Sequence, residues 1–268
     1  VSWANHNDEV IVSFPDGSKV YYDFLEKKQV TLPNHWQEFT FSKDDKNVAA
    51  ESIGIDPDNR FLIVASPDGS EARAITPLGN NAALVYPTFT PDSQIVAYTR
   101  TGEAQQDNAE EILFVGQNHE NFRALMAPGQ GFIPKWSPSG KQVLFSVWNQ
   151  GSNGRPELWT SAGEAATMGL NRRDLKLDTW ADKCAWKNDT LLYCAVPQGL
   201  PQNAGLDRNS YTTYPDDIYK VDLQNGVMTK ISTPDQNHPV KDPIVSADGK
   251  QLMFTDAGSG KLYSYLLP

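Results

Sequence analysis

Short apolar runs alternate with polar turns along the whole chain, and no stretch of about a dozen residues carries a helical period. One phrase recurs. A large apolar residue is followed by a polar turn, and an apolar residue returns seven positions later: Trp3 and Val10, Phe41 and Val48, Phe89 and Val96, Trp136 and Val143, Val245 and Leu252. A sixth copy, "WKNDTLL" from Trp186 to Leu192, is one residue shorter. Six copies in 268 residues give a period of about 45, which matches the roughly 40–45 residues of a four-stranded propeller blade.

Each phrase predicts an inner hairpin, and two further strands follow it. The second strands are "EVIVSF", "NVAAES", "QIVAYT", "QVLFSV", "LLYCAV" and "QLMFTD"; the third are "KVYYDF", "RFLIVAS", "EILFVG", "ELWTS", "DIYKVD" and "KLYSYL". Five copies add a fourth: "KQVTL", "EARAIT", "FRALM", "ATMGL" and "VMTKIS". β-Branched and aromatic residues between Gly, Pro, Asn and Asp read as strands. "GEAQQDNAEEILF" reads as a polar loop entering a strand. The expected fold is all-β: one domain over 1–268, a six-bladed propeller with blades at 1–33, 34–79, 80–128, 129–178, 179–236 and 237–268. The anchors Trp3, Phe41, Phe89, Trp136 and Trp186 are expected to wedge between neighbouring sheets.

"FTPDSQIVAYT", "WSPSGKQVLFS", "SADGKQLMFT", "DIYKVDLQNG" and the strand ends "AIT" and "KIS" resemble the TolB-like six-bladed propellers of bacterial envelopes. The resemblance covers nearly the whole chain, with departures from its Ser-Pro-Asp-Gly turn at "SKDDKN" and "KNDT". It implies a propeller and leaves function open, since such propellers include protein-binding scaffolds, accessory domains of peptidases and polysaccharide lyases. Val1 enters an inner strand directly and the chain ends in a third strand. The sixth blade is therefore expected to have three strands, its outer edge free to pair, unless upstream residues complete it.

Val1 is not an initiator Met, so the chain is expected to be a processed or trimmed product, with any export signal or membrane anchor upstream. No apolar run reaches the length of about 20 residues that a membrane helix needs. With 33 acidic and 23 basic residues the net charge is −10. No basic stripe is present to neutralise phosphates, which argues against a nucleic-acid partner.

Pairing Trp186 with Leu192 sets Cys184 opposite Cys194, at a cross-strand spacing within disulfide range. A bridge there implies an oxidising compartment; two buried free thiols in a cytosolic propeller are the alternative. Four His and two Cys make a zinc cluster improbable, and no metal or cofactor is expected. "DPDNR" (56–60) has the alternating oxygens of a calcium loop without its Gly and Glu, and reads as a turn. The nucleophile elbow, the His-Glu-x-x-His zinc motif and the phosphate loop are all absent. Asp217, at the start of a third strand, reads as scaffold.

Length variation falls on the loops between second and third strands and on the blade crossings, which share one face of a propeller: 33–38, 100–111, 148–156, 172–183 and the longest, 197–216. Long loops on a rigid scaffold are where binding resides. The candidate ligand- or partner-binding residues are His35, Trp36, Trp148, Arg155, Trp180, Arg208, Tyr211, Tyr214, Asp216 and His238. Aromatics beside Arg are typical interface anchors, although the tyrosines of 197–216 would equally serve to pin their own loop. The reading is a non-catalytic, extracytoplasmic scaffold (periplasmic, cell-surface or secreted) for a protein or peptide. The alternative is a carbohydrate-active or lyase-type enzyme with its site in the same funnel.

Overall fold

The computed structural model describes residues 1–104, 108–118, 120–231 and 238–268. Six antiparallel sheets follow one another along the chain, each winding outward in sequence order. The first is β1 (Ser2–Trp3), β2 (Glu9–Ser13), β3 (Lys19–Asp23) and β4 (Lys28–Leu32). The second is β5 (Trp36–Phe41), β6 (Val48–Ile53), β7 (Arg60–Ala65) and β8 (Arg73–Pro77). The third is β9 (Val85–Pro87), β10 (Ile95–Ala104), β11 (Glu110–Gly116) and β12 (Leu125–Ala127). The fourth is β13 (Gln130–Trp136), β14 (Gln142–Trp148), β15 (Pro156–Ala162) and β16 (Arg173–Asp174). The fifth is β17 (Cys184–Trp186), β18 (Leu191–Pro197), β19 (Asp216–Asp222) and β20 (Val227–Ile231). The sixth has three strands: β21 (Val240–Val245), β22 (Gln251–Asp256) and β23 (Leu262–Leu266). This is a six-bladed β-propeller, with short 3-10 turns and no α-helix among the described residues.

The chain forms two compact units, Val1–Gly102 with Glu111–Leu125, and Glu103–Glu110 with Met126–Pro268. In the first, Ile11, Tyr21 and Leu32 of the first sheet pack on Trp36, Phe41 and Val48 of the second. In the second, Leu144 and Leu158 pack on Leu192 and Val221, and Tyr193 and Ile218 pack on Leu252 and Phe254. Within each unit neighbouring sheets thus share a core, in which each fully buried aliphatic or Phe side chain contributes about 1.5–3 kcal/mol.

The recurring phrase has a local cause. Trp3 pairs with Val10, Phe41 with Val48, Trp136 with Val143, Trp186 with Leu192 and Val245 with Leu252. In the turn after the anchor, a Ser or Thr hydroxyl caps both arms. Ser42 Oγ donates to Asp44 at 2.7 Å and accepts from Asn47 N at 3.0 Å; Thr90 and Ser246 do the same with Asp92 and Ile95 N, and with Asp248 and Gln251 N. The residue three positions after that hydroxyl lies in the left-handed region: Asp45, Ser93, Gly140 and Gly249. Glycine suits that conformation, which is why "PSG" and "ADG" carry one. In the short copy, Asn188 Oδ1 accepts from Thr190 N and Leu191 N and closes the turn with one residue fewer.

Several expectations need correction. Trp3 is 63 % exposed and stacks on Phe24 rather than wedging between sheets. Phe89 falls just beyond β9, so Phe89 and Val96 are not a ladder pair. The fourth strand of the fourth sheet is Arg173–Asp174, paired with Trp159 and Thr160, not "ATMGL". The latter is a turn in which Gly169 has φ +74° and Met168 is fully buried. β10 runs on to Ala104, so 100–104 is strand rather than loop; residues 105–107 of the expected loop 100–111 lie outside the described residues. The turn expected at "DPDNR" is present as a 3-10 turn, with Asp56 accepting from Asp58 N.

Candidate functional site

Four segments of the second unit converge on one cavity of about 120 Å³: the crossing between the fourth and fifth sheets, the loop 198–215 between β18 and β19, the start of β21 and the turn after β22. Trp180 and Asp182–Lys183 come from the crossing, Arg208, Tyr211 and Thr212 from the loop, Val240, Lys241 and Asp242 from β21, and Ala257 from the turn after β22.

Local structure fixes each of them. Thr179 Oγ1 donates to Ala195 O at 2.5 Å, and Lys183 N closes a 3-10 turn on Trp180 O. Trp180 is 4 % exposed and packs with Leu200 and Ala204, with Ile133, Tyr211 and Tyr214 against them. The Arg208 guanidinium lies 5.5 Å from the Trp180 ring centroid and pairs with Asp182. Cation–π contacts of this kind contribute about 0.5–2 kcal/mol. β21 carries a bulge between Lys241 and Ile244, with Asp242 at φ +50°. The inner strands β5 and β13 carry the same bulge, between Gln37 and Thr40 and between Gln130 and Ile133, so it belongs to the repeat rather than to the site.

Beside the cavity, Lys183 Nζ meets Asp216 Oδ2 at 2.7 Å, with side chains only 7 % and 0 % exposed. The same oxygen accepts from Val240 N at 2.6 Å, and Asp216 N donates to His238 O at 3.1 Å. Burial pushes the Asp216 carboxyl up to about 6, against the opposing pull of Lys183 and the Val240 N–H. A buried ion pair of this kind costs desolvation; together with the Val240 bond it ties the start of β19 to the crossing before β17 and to β21. Lys135, on β13, donates to Cys184 O. Burial lowers its ammonium pKa, while the charges of Asp182 and Asp242 act to raise it.

Of the ten residues expected from sequence, Trp180, Arg208 and Tyr211 line the cavity, and Asp216 and Tyr214 support it. Tyr211 and Tyr214 stack at 5.3 Å, so the loop is also pinned by its own tyrosines. His238 Nδ1–H donates to Asp256 Oδ2 at 2.7 Å, and the ring packs 4.0 Å from that of Tyr263. Trp148 is held by glycines: a Cβ at Gly205 would lie 2.5 Å from its Cβ, and one at Gly131 2.8 Å from Nε1. Arg155 pairs with Asp178 at 3.6 Å. Trp36, expected on an exposed loop, opens β5 and is 6 % exposed within the core of the first unit. His35, also in the first unit, is exposed and gives its carbonyl to Ile53 N. Asp217 is held by Gln198 and Lys230, as scaffold.

Sequence reasoning missed Asp182, Lys183, Lys241, Asp242 and Lys135. A signal was present. Asp182 and Lys183 stand four and three positions before the Trp186 anchor, and Lys241 and Asp242 stand at the same offsets before Val245, with the charges in reverse order. Among the described residues no three His, Cys, Asp or Glu side chains are grouped to hold a metal ion. A wider groove of about 440 Å³, lined by residues such as Lys141, Thr160 and Arg173, contains none of the expected residues.

No protein-family model and no curated protein matches the sequence. Solved structures do resemble it. The tricorn protease aligns with a TM-score of 0.63 at 12 % identity over 98 % of this chain, which spans only 29 % of that protein. An oligogalacturonate lyase in complex with manganese aligns at 0.62 and 15 %, over 97 % of this chain and 74 % of that one. TolB from Acinetobacter baumannii aligns at 0.50 and 15 %, over 97 % and 69 %. At these identities the likeness shows the fold alone.

Proposed function

We propose that the protein is a non-catalytic binding scaffold of the cell envelope or exterior, and that a protein or peptide partner seats a side chain in the Trp180–Tyr211 cavity. The observation that carries this reading is the convergence of four segments on a recess walled by Trp180 and Tyr211, with Lys183 and Arg208 held by Asp216 and Asp182. Concave, mostly apolar recesses with a few fixed polar groups are the usual form of a binding site. The Cys184–Cys194 bridge supports an oxidising compartment, and no helix of the described residues is long and apolar enough to cross a membrane.

A displayed heptapeptide library selected on the immobilised protein tests the reading. Peptides should be enriched, and their binding should fall at least tenfold on Ala257→Phe, which fills the cavity, with an unchanged melting temperature. Failure to enrich any sequence, or equal binding by the filled variant, overturns it.

A further inference from the structure

We propose that β23 is a self-association edge, at which two copies of this chain pair their β23 strands antiparallel about a two-fold axis through Ser264. The inference goes beyond the peptide reading above and does not depend on it.

Among the described residues β23 (Leu262–Leu266) pairs with β22 alone, as the outer strand of the three-stranded sheet. Its hydrogen-bonding phase is fixed at both ends. Asp256 N donates to Lys261 O at 2.8 Å, and Leu267 N donates to Lys250 O at 2.7 Å. Bonded pairs alternate along an antiparallel ladder. Tyr263 and Tyr265 therefore turn their backbone groups to β22, and Leu262, Ser264 and Leu266 turn theirs outward. Such an outward row is a template for another strand.

The other outer strands are blunted. β4, β8, β16 and β20 carry Lys28, Arg73, Arg173 and Lys230, and β12 has only three residues. Charge and shortness are the usual protection of an edge. β23 has five residues, none of them charged or proline, and an unbroken register with β22. Leu262 and Leu266 on it are 74 % and 81 % exposed.

The strand's own sequence identifies what pairs with it. Leu-Tyr-Ser-Tyr-Leu reads the same in both directions. Antiparallel pairing about Ser264 sets Leu262 opposite the second copy's Leu266, and Tyr263 opposite the second copy's Tyr265. Like side chains then meet on each face, and cross-strand pairs of this kind stabilise a sheet. The outward-facing residues 262, 264 and 266 pair only with one another, so the new ladder closes with about six hydrogen bonds. The Ser264 hydroxyl donates to Gln251 of its own sheet at 2.7 Å and leaves the axis uncrowded. Charge permits the approach as well. Lys261, next to the strand, falls opposite the second copy's Leu267, so no like charges face each other in the pair despite a net charge of −10.

Five residues a side bury less than a standard interface of roughly 1,600 Å², so the dimer is a weak one. The test is sedimentation velocity of the full chain from micromolar to submillimolar concentration, which should show a monomer passing to a dimer. Ser264→Pro removes an outward N–H that β22 does not use, a place where an edge strand tolerates proline. It should raise the dimer dissociation constant at least tenfold with an unchanged melting temperature. The chain's two cysteines are bridged to each other, so an introduced thiol is the only free one. On mild oxidation Ser264→Cys should give a covalent dimer, because its Cα atoms lie about 5.5 Å apart across the axis. Leu262→Cys should not, its own copies being offset by four residues, about 13 Å along the strand. A monomer at every concentration overturns the inference, and concentration-independent protection of the Ser264 and Leu266 amides from hydrogen exchange would then assign the edge to cover by its own chain. A dimer unaffected by Ser264→Pro, or equal cross-linking of the two Cys variants, places the contact elsewhere and overturns it too.

Discussion

Asp45 occupies the left-handed turn position that Gly140 and Gly249 hold after β13 and β21. The carboxylate gives the position a second role. It accepts from Asn5 N at 2.6 Å, His6 N at 2.7 Å, Asn7 N at 3.1 Å and Asn5 Nδ2 at 3.0 Å, tying the β1–β2 loop to the second sheet. Burial would raise its pKa, but these donors outweigh it and hold the group below the ordinary carboxylate value. Hydrogen bonds to a charged group contribute about 1.5–3 kcal/mol, so Asp45→Asn, which turns an amide towards backbone N–H groups, should cost about 2 kcal/mol. Asp45→Gly should cost less, because glycine relieves the left-handed backbone. Urea midpoints check both. A cost within about 0.5 kcal/mol, the level of an ordinary surface change, would show that the carboxylate does not hold the loop. The "SKDDKN" departure from the Gly-bearing turn is thus legible only once Asn5–Asn7 are known to lie beside it. Trp36 was misread for a related reason: its neighbours Asn34, His35 and Gln37 are polar, yet its burial comes from Ile11, Tyr21 and Leu32 of another sheet.

At the level of strands and turns, the inner hairpins were readable because each is closed by its own residues. Ser42, Thr90 and Ser246 bond within five positions of themselves, so the signal is local and repeats. Cys184 opposite Cys194 followed from the same register, and the bridge is present. β16 was misplaced because two ladder pairs carry little sequence pattern, while the buried Met168 beside Gly169 imitates a strand. The cavity was half-readable. Its aromatics stand out on long loops, whereas Lys183–Asp216 joins residues 33 positions apart and no local pattern announces it. The Cys184–Cys194 bridge spans 10 positions. Loop-closure entropy for so short a loop is somewhat below the roughly 3 kcal/mol of a 15-residue one. Dithiothreitol, or the double change Cys184→Ala and Cys194→Ala, should therefore lower unfolding stability by about 2–3 kcal/mol. Identical urea midpoints with and without reductant would show that the bridge leaves the fold's stability untouched.

For the molecule as a whole, buried and paired carboxylates divide into two sets with opposite effects on stability as pH falls. Asp68, bonded to Lys28 and Ser70, and Asp256 sit at about 2. At Asp256 burial acts upward, but the His238 bond and the Ser259 and Gly258 N–H groups outweigh it. The unfolded chain binds those protons more tightly, so their stabilisation is present above the ordinary carboxylate value of about 4 and is lost as pH drops towards 2. Asp216, pushed up by burial to about 6, behaves in reverse. There the folded chain binds the proton more tightly, and its contribution grows as pH falls from about 6 to 4. Burial raises Glu51 and Glu9 in the same direction, and the self-repulsion of a net charge of −10 eases over that range as well. Melting temperature should therefore peak near pH 4–5, above its value at pH 7, and fall steeply below pH 4. For Asp216→Asn the diagnostic is slope: the rise between pH 6 and 4 should flatten while the fall below 4 stays. Asp256→Asn should do the converse. A profile of Asp216→Asn parallel to the unaltered protein across pH 4–6 would show that the buried pair does not titrate there.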